Sequence, residues 1–172
     1  MTRAIAVVAL ALQALACAPA DSSVTADSPR AAAVWLGIDP AVVVDLGSTG
    51  LAAVPRSDGH VSIVAIHRVS GDWAASTLTT SPGVVGGDSL HVVSYGGATG
   101  EPWNTFVFGT AAPGTERVEL PGFPDQRGGE VVHGVWVIAL RQKDLQPADI
   151  TWRFVNADGS SRTGTGIFPP DA

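Results

Sequence analysis

From residue 41 onward the chain is written as short runs of β-branched and aromatic residues punctuated by Gly, Pro, Asn and Asp, the pattern of β-strands separated by turns. The runs "AVVVDL" and "LAAVP" come first. "HVSIVAIHR" and "DWAASTLTT" follow, joined by the tight connection "VSGD", which reads as a hairpin. "SLHVVSY" comes after the Gly-rich "SPGVVGGD". Then "WNTFVFGTA" leads through "APGT" into "ERVELPG", and the loop "FPDQRGG" precedes "EVVHGVWVIAL", the longest strand candidate. The last segment, "ITWRFVNADGSSRTGTGIF", reads as a hairpin turning at Asp158-Gly159. Upstream of these runs, "AAAVWLGI" (residues 31 to 38) has the length of a short helix and no clear strand alternation.

Alternation assigns the faces. Trp152 and Phe154 share one side of their strand while Thr151, Arg153 and Val155 share the other, so the two aromatics are candidate core. In residues 131 to 140, Val132, Trp136, Ile138 and Leu140 oppose Val131, His133, Val135 and Val137. Both sets are apolar, which predicts a central strand covered on both sides. About nine strands with turns at this spacing predict an all-β fold, an antiparallel β-sandwich in a single domain over residues 31–172. Roughly 140 residues suffice for a substantial core.

The first 16 residues have a different pattern: one cation at Arg3, then an apolar run from Ala4 to Leu12. The run is far shorter than the ~20 apolar residues a membrane-spanning helix requires, and it reads as a signal peptide. Small residues stand at −3 and −1 before Cys17, before Pro19 and before Asp21, so three cleavage positions compete. "ALAC" at 14 to 17 resembles the lipobox of bacterial lipoproteins, departing from it at −3, where Ala14 replaces the usual Leu. The resemblance implies that Cys17 is lipidated and becomes the mature N-terminus. The alternative is that this only cysteine is removed with the leader. Lipidation agrees with the absence of any partner thiol, since an unpaired cysteine in an exported chain is otherwise a liability. Residues 17–30 are small, polar and Pro-containing, and predict a disordered tether.

Composition narrows the function classes. Without Arg3, the 10 cationic side chains become 9 against 16 carboxylates, a net charge of −7 with no basic stripe, which argues against a nucleic-acid partner. Lys143 is the only lysine, and the Ala, Gly, Val and Arg bias is similar to that of proteins from high-GC bacteria. Residues 115 to 163, with "ERVEL", a Gly-rich gap, "GVWVIAL" and the final D-G hairpin, resemble the Ig-like sandwich modules of bacterial extracytoplasmic proteins. That likeness implies a fold and carries no active site.

No motif in the chain specifies chemistry. His60, His67, His91 and His133 are well separated in sequence and show no metal-ligand spacing, so neither metal nor cofactor is expected. Ser94 in "VSYGG" lacks the first Gly of a nucleophile elbow. A hydrolase would have to assemble His91, His133, Ser94 and Glu101 through space. Glu116, Glu119, Asp125 and Glu130 add no carboxylate pair that spacing selects. "NADGSS" lacks the further ligands of a calcium loop, and the Gly-rich pieces lack the ending of a phosphate cradle.

Aromatics supply the remaining lead. Trp103, with Tyr95, Glu101 and Asn104, stands where an exposed ring flanked by an amide and a carboxylate stacks on sugars. The sequence therefore predicts an exported, non-enzymatic interaction or structural module at the cell envelope. It would meet the membrane only through a lipid anchor at Cys17, and its partner would be an envelope protein or glycan. The alternatives are a carbohydrate-binding module and a motif-free hydrolase.

Overall fold

The computed structural model describes residues 26–84, 86–94, 103, 105–142 and 145–166. Within these, Ser28 caps a helix, α1 (Pro29–Trp35), accepting a hydrogen bond from the Ala31 amide, with Pro29 in the first turn where its missing N–H costs nothing. An antiparallel meander follows: β1 (Val42–Asp45), β2 (Thr49–Pro55), β3 (His60–Val69) and β4 (Asp72–Pro82), paired in that order. The β3–β4 turn places Ser70 and Gly71 at φ 53° and 97°, the left-handed pair that a two-residue hairpin requires.

A second sheet has the order β5 (His91–Ser94), β6 (Thr105–Thr110), β9 (Val135–Leu140), β8 (Arg127–Gly128). A third is made of β11 (Ser161–Thr165), β10 (Thr151–Asn156) and β7 (Thr115–Glu119). The fold is an all-β antiparallel sandwich. It has eleven strands among the described residues, where about nine were expected, and it is three sheets deep.

The layering follows from the alternation of β9. Val135, Val137 and Ala139 pack with Val42, Val44, Leu51, Ala53 and Ile63 of the first sheet. Trp136, Ile138 and Leu140 pack with Val118, Trp152 and Phe154 of the third. β6 and β9, the central strands of the middle sheet, are therefore buried on both faces, as the two apolar sets of β9 predict. Trp152 and Phe154 lie in the core, where Phe154 meets the rings of both Trp136 and Trp152 edge-on. On the far side of the first sheet, Ala32 and Ala33 of α1 pack on Ala52, Val64 and Ile66. Gly50 permits this contact, because a Cβ there would lie 2.2 Å from the Cβ of Pro29.

Two expectations are corrected. Residues 130 to 140 are not one strand: Val132 and Val135 exchange backbone hydrogen bonds across a turn in which His133 (φ 51°) and Gly134 (φ 74°) are left-handed. Beyond that turn the chain reverses, and Val131 and Val132 pack into opposite cores from those a single strand would give them. A corner at Gly128 and Gly129 then moves this limb from β9 to β7, where the Val118 amide donates to the Gly129 carbonyl. A Cβ on Gly129 would stand 2.3 Å from the Val118 carbonyl oxygen.

The second correction concerns the tether. Its expected span runs to residue 30, yet Ala26 is already buried and α1 begins at Pro29. The Trp73 indole N–H donates to the Ala26 carbonyl at 2.8 Å, and the Arg68 guanidinium stacks 4.4 Å from the Trp73 ring. These contacts, together with the Ser28 cap, fix the chain to the first sheet before residue 31. No helix among the described residues is long and apolar enough to cross a membrane.

Candidate functional site

A cleft of about 500 Å³ opens at one end of the sandwich, where four connections converge. The β2–β3 turn contributes Arg56 and His60, the loop after β4 contributes Val84, the β6–β7 loop contributes Ala111 to Thr115, and the β8–β9 hairpin contributes His133. Each connection is pinned. The Arg56 amide donates to the His60 carbonyl at 2.9 Å, and the Ala111 amide donates to the Gly134 carbonyl at 2.9 Å. Thr110 holds the loop after β4: its hydroxyl accepts from the Val84 amide at 3.0 Å, and its own amide donates to the Ser89 hydroxyl at 2.9 Å.

Valines 61, 84, 131 and 135 give the cleft an apolar lining, and Arg56, His60 and His133 are the titratable side chains on it. Asp58 stands beside two of them, its carboxylate 3.3 Å from the Arg56 Nε and 3.3 Å from the His60 Nδ1. The His60 backbone N–H, and then the Arg56 side chain, hold the Asp58 carboxyl below its ordinary value, so it is an anion at neutral pH. His133 is exposed on its left-handed turn. Holding a non-glycine residue there costs on the order of 1 kcal/mol, a cost that functional sites tolerate.

The cleft offers binding more readily than covalent chemistry. Its two hydroxyls are committed, Thr110 to Val84 and Ser89, and Thr115 to Asn156 and Arg162. An apolar lining with a few polar groups converging on it is the usual composition of a small ligand site.

The Arg162 contacts also lock the third sheet to the loop behind the cleft. Arg162 makes two 2.7 Å hydrogen bonds to Asp88, a bidentate pair, and these hydrogen bonds raise its pKa above the usual arginine value. Asp88 in turn accepts from the Ala112 amide at 2.8 Å.

Of the residues singled out in the sequence, Cys17, Tyr95, Glu101 and Asn104 lie outside the described residues. Trp103 is described and is only 5% exposed, packed with Phe106 and Phe108 and covered by Arg141, whose guanidinium lies 4.9 Å from the ring. The exposed stacking face that the carbohydrate-binding alternative requires of Trp103 is therefore not present. A small polar recess of about 230 Å³ beside it is lined by Asp125, Gln126, Arg127 and Arg141.

Among the described residues, the hydrolase candidates Ser94 and His133 are not brought together either. Ser94 pairs with Thr105, which pairs with Leu140, whereas His133 precedes Val135 at the other end of β9. That separation is at least five strand residues, about 17 Å. His91 is occupied elsewhere, its Nε2 lying 2.7 Å from the Pro82 carbonyl and its ring 5.4 Å from Phe108. No group of three or more metal-ligating side chains occurs among the described residues.

No known protein family, curated protein or solved structure matches the chain. The cleft and the point where the N-terminal segment docks therefore carry the functional argument. His60 opens β3 at the cleft, and Arg68, which contacts Ala26, lies eight residues further along the same strand. At about 3.3 Å per residue the two are roughly 26 Å apart. Sequence reasoning missed the cleft, and its one local signal was the His133-Gly134 dipeptide inside an apolar run.

Proposed function

We propose that this protein is an extracytoplasmic, non-enzymatic interaction module, anchored by lipid at Cys17, that binds an envelope protein or glycan in the cleft between Arg56, His60 and His133. One observation carries the reading: the N-terminal segment joins the sheet at the Arg68–Trp73 end of β3 and β4, while the cleft opens about 26 Å away at the His60 end. A domain held by its N-terminus in this way keeps the cleft clear of its own anchor. The leader pattern over residues 1 to 16 and the lone thiol at its boundary support export and lipidation.

Fractionation of cells producing wild-type and Cys17→Ala protein tests the anchor. The wild type is expected in the membrane fraction and the variant in the soluble extracytoplasmic or secreted fraction. Equal retention of both in the membrane would overturn the reading.

A further inference from the structure

We infer that the outward face of α1 rests on the lipid bilayer, which orients the domain as well as tethering it. This rests on the proposal that Cys17 anchors the chain. Among the described residues four large hydrophobic side chains are exposed: Val34 at 70%, Trp35 at 50%, Val69 at 52% and Val84 at 39%. Val84 lines the cleft. Val34 and Trp35 lie on α1, whereas Val69, at the tip of the β3–β4 hairpin, belongs by alternation to the face of β3 that carries Ile63, away from the helix.

The helix is inverted relative to an ordinary surface helix. Its buried face carries the small residues Pro29, Ala32 and Ala33, and its exposed face carries Arg30, Ala31, Val34 and Trp35. A surface helix normally turns polar side chains to water. An outward Trp beside apolar residues matches the chemistry of the bilayer interface, where an amphipathic ring gains from both phases.

The chain outside the described residues indicates what covers this face. Cys17 precedes Ala26 by nine residues, which span at most about 30 Å, so a lipidated Cys17 keeps α1 within reach of the headgroups. Tethering makes docking effectively intramolecular, so a small apolar patch suffices to populate the docked state. On the helix and its approach the exposed Arg30 is offset by the exposed Asp27, so the attraction is apolar and independent of anionic lipid. With α1 on the bilayer the strands lie along the surface, and the cleft opens sideways roughly 10 to 20 Å above it, given layers about 10 Å thick.

The single thiol supplies the test. The full chain is coupled through Cys17 to a maleimide-bearing lipid in phosphatidylcholine vesicles containing brominated acyl chains, and Trp emission is recorded for wild type and Trp35→Phe. Because the coupling is chemical, docking is read whether or not cells lipidate Cys17, and fractionation reads the anchor separately. Wild type is expected to lose roughly a fifth of its emission, the share of one of five Trp, and Trp35→Phe to lose none. Replacing part of the phosphatidylcholine with anionic lipid should leave this unchanged. Equal quenching of wild type and variant would overturn the proposal. So would a dimer of the uncoupled chain in sedimentation that Trp35→Ser abolishes, since a second copy would then be the occupant of the face.

Discussion

Adjacent residues on the central strand should both be indispensable. Val137 and Ile138 are both fully buried, but Val137 faces the first sheet and Ile138 faces the third. In a two-layer sandwich one of two consecutive positions would face solvent, and its truncation would cost little. Here Val137→Ala removes two methyl groups from a close-packed layer, at about 2 kcal/mol, and Ile138→Ala removes more, at about 3 to 4 kcal/mol once the residual cavity is included. For a domain of this size these values correspond to decreases in Tm of roughly 6–8 °C and 10–14 °C. Urea denaturation of each variant, with unchanged m-values, gives the two numbers directly. A cost below about 0.5 kcal/mol at either position would refute the three-layer packing, because that is the range of solvent-facing substitutions.

Three further outcomes are expected. Trp73→Phe keeps a ring beside Arg68 but loses the N–H donated to Ala26, so hydrogen exchange in α1 should accelerate while overall stability falls by about 1 kcal/mol; unchanged exchange would mean that the clamp is not what holds the helix. Arg162→Lys retains the charge but not the fork that grips Asp88, and should cost about 1 to 2 kcal/mol in chemical denaturation, whereas a neutral result would make the pair dispensable. Arg153 and Arg117 hold the Glu119 carboxyl below its ordinary value, so its contribution is fully present above the unfolded pKa near 4.5 and is lost as pH falls through the lower folded value. Stability should therefore decline below about pH 4.5, and Glu119→Gln should flatten that decline; an identical acid limb would assign the loss to other carboxylates.

Much of the β architecture was legible because strand periodicity and turn chemistry are local. The D-G hairpin at 158–159, the "VSGD" turn and the inward Trp152 and Phe154 all follow from residues within a few positions of one another. The two apolar faces of residues 135 to 140 announced a covered strand, but not that its two covers come from opposite ends of the chain. Pairing of that kind is non-local and leaves no mark at the strand itself. The reversal at His133-Gly134 was missed because Asn and Asp usually precede Gly in such turns, although histidine also tolerates the left-handed region.

The sugar-stacking alternative rested on the polar and Gly-rich neighbours of Trp103 in sequence, whereas Arg141, distant along the chain, covers its ring. The tether ended early for a local reason, since Ser28-Pro29 is a helix-start signal that the polar composition around it concealed. The cleft was illegible for the opposite reason: four connections build it, and no one of them resembles a site alone.

Mass spectrometry of the mature N-terminus bears most directly on the account. A chain beginning at Cys17, heavier than its sequence mass by a lipid modification on that residue, is the predicted result. An unmodified chain beginning at Pro19 or Asp21 would contradict it, because the cysteine would then have left with the leader.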